Sequence, residues 1–100
     1  MEINMTPKEQ SKSLASNFTM LFIQLQDAVA MERGRNPVLR SMIGDATADI
    51  IAVMEYLKTV IEPEDRNNDL SYVKLEGIRD AMRNLWMEER DLEMKAKRRA

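Results

Sequence analysis

Asp45 and Asp49 stand one helical turn apart, and two acids at that spacing begin a divalent-cation site. The run Asp45-Ala46-Thr47-Ala48-Asp49 also opens like a calcium loop. The likeness stops at the next residue. The sixth position is Ile50 where the loop needs Gly, and the twelfth is Tyr56 where it needs a bidentate Glu. Holding Mg²⁺ would require further carboxylates such as Glu55 or Asp27, and an acid pair of this kind more often forms a solvated stripe. Glu88 and Asp91 supply one E-x-x-D, yet no matching E-x-x-E lies on an earlier segment, as a helical Mg²⁺-dependent phosphohydrolase would need. Such an enzyme remains the weakest functional alternative, and no metal ligand or cofactor is assigned.

Other chemistries are excluded by residues the chain lacks. It has no Cys and no His, so it holds no thiolate, no imidazole base and no disulfide. Its Ser and Thr residues therefore have no His partner for a nucleophilic triad. No glycine-rich phosphate loop is present. The sequence reads as non-enzymatic, with no catalytic residue.

Cationic side chains offer a different chemistry. Arg33, Arg35 and Arg40 cluster near the middle of the chain, and Lys95, Lys97, Arg98 and Arg99 near its end. If the fold brings them together, they could bind a phosphate, a nucleotide or a nucleic-acid backbone. Lys and Arg are also favoured in the last turn of any helix because they complement its dipole. Glu32, Glu88, Glu89, Asp91 and Glu93 would offset part of their field. Trp86 is the one aromatic near them on which a base could stack.

The elements that must position these groups are helices. Of 100 residues, 44% are hydrophobic and only 3 are Gly and 3 Pro, while Ala, Leu, Met, Glu, Lys and Arg dominate. The first helix is expected over about 7–33, after a loose lead at 1–5. Thr6-Pro7-Lys8-Glu9 carries a capping signal, and Gly34 suits a left-handed stop. Leu14, Phe18, Leu21, Phe22, Leu25, Ala28 and Val29 mark its apolar side.

Asn36-Pro37 opens a second helix, about 37–61, and Glu62-Pro63 closes it. On it Leu39, Ile43, Ala46, Ile50, Val53, Leu57 and Ile61 fall within about 40° of one direction. After a polar connector, Asp69 caps a third helix over about 70–98. Leu75, Ile78, Met82, Leu85 and Leu92 form its seam, with Glu89 interrupting it. Tyr72 in its first turn could pin the connector.

Three helices of similar length joined by short turns predict one all-α domain, a three-helix up-down-up antiparallel bundle. The alternative is an extended first hairpin whose third helix packs on another subunit. In the bundle the basic groups meet at one pole, while Glu9, Glu62, Glu64, Asp65 and Asp69 meet at the other. The net charge of -2 then hides a lengthwise polarity.

Two helices carry apolar residues on a second face. Gly44, Ala48 and Ala52 run at a four-residue step with Ile51 beside them, and Met20, Ile23 and Met31 point away from the Phe18–Leu25 side. Isolated exposed apolar residues are ordinary, but their coincidence on two helices predicts an interface. The expected state is a homodimer or higher oligomer. The N-terminus lacks the pattern of a signal peptide, and no apolar run approaches the roughly 20 residues that span a bilayer. A cytoplasmic adaptor, inhibitor or regulatory accessory protein of bacterial or phage type, working by binding another macromolecule, is the leading expectation. An anion-binding module for a nucleotide signal or nucleic acid is the alternative.

Overall fold

A computed structural model describes residues 6–66 and 68–99, the side chain of Arg99 excepted. The expected lead at 1–5 lies outside the described residues. Three long helices follow in order: α1 (Pro7–Glu32), α2 (Val38–Val60) and α3 (Leu70–Arg99), with a short 3-10 turn at Pro63–Asp65 between the last two. Among the described residues there is no strand.

Each helix begins and ends for a local reason. Thr6 accepts a hydrogen bond from the Glu9 amide at 3.2 Å. Asn36 Oδ1 accepts from the Val38 amide at 3.1 Å, so Asn36 and Pro37 together start α2. Asp69 Oδ1 takes the amides of both Ser71 and Tyr72 at 3.0 Å. At the end of α1, Arg33 and Gly34 both turn left-handed, with φ of 51° and 80°. Arg66 reaches back from the connector and donates to the Lys58 carbonyl at 2.9 Å, satisfying a group that the end of α2 leaves open.

Contacts between elements fix the topology as up-down-up. At one pole, Ser11 of α1 meets Asp69 at the head of α3, and the Tyr56 hydroxyl near the end of α2 donates to Gln10 at 3.2 Å. At the other pole, Gly34 lies against Leu92 and Glu93, and Arg40 pairs with Glu93. The third helix therefore packs on its own chain, and the extended-hairpin alternative is excluded.

The core runs the length of the bundle. It comprises Ala15, Leu25 and Val29 from α1, Leu39 to Leu57 from α2, Ile61 just past its end, and Tyr72 to Leu85 from α3. Two details differ from the periodic reading. Met54 is buried where Val53 was expected, Val53 being half-buried, because the buried side of α2 is turned toward α3. On α1, Leu14, Phe18, Leu21, Phe22 and Ala28 are only half-buried. Its fully buried line instead runs through Ser11, Ala15, Leu25 and Val29. The reason is that α1 and α2 meet each other less extensively than either meets α3.

The molecule is accordingly a flattened slab. Its extents are 52 × 32 × 16 Å and its radius of gyration 16.0 Å, against about 13 Å for a compact chain of this size. No described helix is long and apolar enough to cross a membrane.

Candidate functional site: the basic pole and the outer face of α1

The pole where α1 ends, α2 begins and α3 ends is assembled around one close approach. A Cβ at Gly34 would overlap the backbone of Leu92 and Glu93. Only Gly lets the turn between α1 and α2 lie this near α3, and its positive φ suits no other residue as well. That contact sets the height at which the following residues meet α3.

Arg40, in the first turn of α2, reaches Glu93 with Nε–Oε2 at 3.2 Å. Its guanidinium also lies 5.6 Å from the centre of the Trp86 ring, and that of Arg90 lies 5.8 Å from it. Both are cation–π distances. The indole lies beside Gly44, where an added Cβ would stand 3.7 Å from Nε1, an ordinary packing distance. Arg35, Arg40 and Lys97 line a shallow hollow of about 360 Å³ together with Gly34, Pro37, Glu93 and Ala96.

Of the basic residues singled out in the sequence, Arg35, Arg40 and Lys97 are thus brought together. Arg33, Lys95 and Arg98 are exposed at the same end without lining the hollow. The side chain of Arg99 lies outside the described residues. One of the expected offsets is also present, and another is not what it seemed. Glu93 stands in the hollow and holds Arg40, so the pole is less available to an anion than its Lys and Arg content suggests. Glu89 is more unusual than the sequence indicates. It is 0% exposed, and neither of its oxygens has a hydrogen-bond partner among the described residues. Burial, and next the Glu93 carboxylate, raise the Glu89 carboxyl above its ordinary range, with Arg40 pulling it part of the way back.

The residues expected at an interface divide into two groups. Met20, Ile23 and Met31 are exposed on the outer side of α1, at 56%, 44% and 79%. Ala48 and Ala52 are exposed on α2. Gly44 and Ile51 are not free surface: Gly44 faces Trp86 within the chain, and Ile51 is half-buried. The supposed single stripe of small residues is therefore partly a seat for Trp86.

Asp45 and Asp49 are both exposed, and no group of three or more acidic side chains converges on a metal-sized site among the described residues. Glu62, Asp65 and Asp69 do share the rim of a second hollow at the opposite pole, of about 390 Å³, with Lys8 among them. Trp86 was legible as the aromatic near the basic groups; its pairing with Gly44 and Arg40 was not, because it depends on how two helices cross. No protein-family model, no curated protein and no solved structure matches the chain.

Proposed function

We propose that the protein is a small non-enzymatic binding protein that self-associates and works by engaging another macromolecule, as a cytoplasmic adaptor, inhibitor or regulatory accessory factor of bacterial or phage type. The observation that carries this reading is the outer side of α1. There Met20, Ile23 and Met31 stand exposed along one stripe while the inner side of the same helix fills the core. Met adapts its shape to a partner surface and loses little by doing so, which suits a contact face. The flattened form helps: a slab measuring 52 × 32 Å across offers ample area for the roughly 800 Å² per partner that a stable dimer buries. Association is tested by replacing Met20 and Ile23 with Lys together. The double variant is expected to stay folded and to lose self-association in sedimentation, and unchanged association would overturn the assignment of this face.

Anion binding at the basic pole is the second reading, favoured by the convergence of Arg35, Arg40 and Lys97 on one hollow. The ligand would be a nucleotide signal or a nucleic-acid backbone. Charge reversal at Arg35 and Lys97 is expected to abolish such binding in a salt titration, and to leave association through α1 intact. Binding that ignores salt and both reversals would dismiss it.

A further inference from the structure

Glu89 occupies a place where an aliphatic residue would be expected. Leu75, Ile78, Met82, Leu85 and Leu92 alternate steps of three and four along α3, and Glu89 is the member of that series between Leu85 and Leu92. The neighbouring rungs bracket its surroundings. Gly44 faces Trp86 and Arg40 pairs with Glu93, so Glu89 lies at the height of Ile43 and Leu39 on α2. On the other side Gly34 lies against Leu92 and Glu93, which puts Glu89 near the height of Val29 on α1. Those three residues are 0%, 4% and 2% exposed. In such a layer, with no donor on either oxygen among the described residues, the ionised carboxylate is disfavoured relative to the neutral acid.

The charged groups around it are few and unevenly held. From α2 comes Arg40, already paired with Glu93 and lying over Trp86. From α3 come Glu93, one turn on, and Arg90, whose guanidinium lies over Trp86 and whose Nε is buried without a partner. The charged residues of α1 at this end, Asp27, Glu32 and Arg33, are all exposed. Arg40 is the cation that acts on Glu89, and Glu93 is the anion that competes for it.

We propose that Glu89 is a proton-operated latch for the basic pole: protonated, it rests in the seam and the turn between α1 and α2 stays clamped on α3, whereas ionised it draws Arg40 from Glu93 and Trp86 and loosens the clamp. The direction follows from linkage. The folded chain keeps this proton to a higher pH than the unfolded chain does, so stability falls as pH rises from the ordinary carboxylate range through the raised value, and the loss persists above it. Loosening is local because Ala15, Met54, Leu57, Tyr72 and Leu75 pack toward the opposite pole.

Trp86 is the chain's one tryptophan and reports directly on Arg40. Its emission and the melting temperature should be followed from about pH 5 to about pH 8, above the range where ordinary carboxyls titrate. The wild-type chain is expected to show a transition in emission and a lower melting temperature at the alkaline end. Glu89→Gln should lack both changes, and Glu89→Met, which refills the seam, should lack them too and melt higher at about pH 8. Glu93→Gln removes the competing carboxylate, so its transition should move to lower pH. A wild-type chain without a transition overturns the latch. So does a transition that persists in both Glu89 variants, or one that Glu93→Gln leaves in place.

Discussion

Single residues decide the architecture of the basic pole. Gly34 combines a positive φ with backbone contact to α3, so Gly34→Ala must both strain the turn and push two helices apart. We expect that variant to lose at least about 2 kcal/mol in urea unfolding, opposite in sign to Gly→Ala on a helix surface. A loss below about 0.5 kcal/mol would mean the turn relaxes away from α3. The contrast within the chain is Gly77, where an added Cβ meets nothing and Ala should be neutral or stabilising. The sequence marks Gly34 as a helix stop. Its second role, admitting Leu92 and Glu93, depends on a residue nearly sixty positions away and leaves no local trace. Glu89 is a similar case: its break in the seam is visible in the spacing, whereas its complete burial emerges only when α1 and α2 close over it.

At the scale of elements, the helix boundaries were largely written in the caps. Thr6, Asn36 and Asp69 each accept the amides that their type and place suggest. Asp69 is the strongest of them, with two amides at 3.0 Å, while the Ser11 contact to it at 3.5 Å is too long to add much. Asp69→Ala is expected to cost about 1 kcal/mol, read as a lower urea midpoint with an unchanged slope. A changed slope would indicate that the whole head of α3 frays. The fences Pro37 and Pro63 make α2 look like the organising element, yet α3 is the helix against which both others pack most extensively. Periodicity identifies which side of a helix is apolar. It says nothing of which helix lies between the other two, and here that is settled by the Gly34 approach and by the fit of Trp86 against Gly44.

For the whole molecule, shape and charge layout matter more than any cluster. A slab one layer thick cannot hide both sides of every helix, and α1 is left with half-buried Phe18 and Phe22 inside and Met20, Ile23 and Met31 outside. At the basic pole Arg40 and Glu93 pair and neutralise each other. This favours contact through an apolar face over capture of a free anion. Charge reversal at Arg35 and Lys97 is therefore expected to leave oligomeric state unchanged, as checked by sedimentation.

The central claim is that the outer face of α1 joins two copies of the chain. Light scattering across a dilution series at high micromolar concentration tests it most directly. The expected mass is near twice 11.6 kDa, or a higher multiple, and falls to the monomer value when Met20 and Ile23 are both replaced by Lys. A wild-type mass of one chain throughout would contradict it.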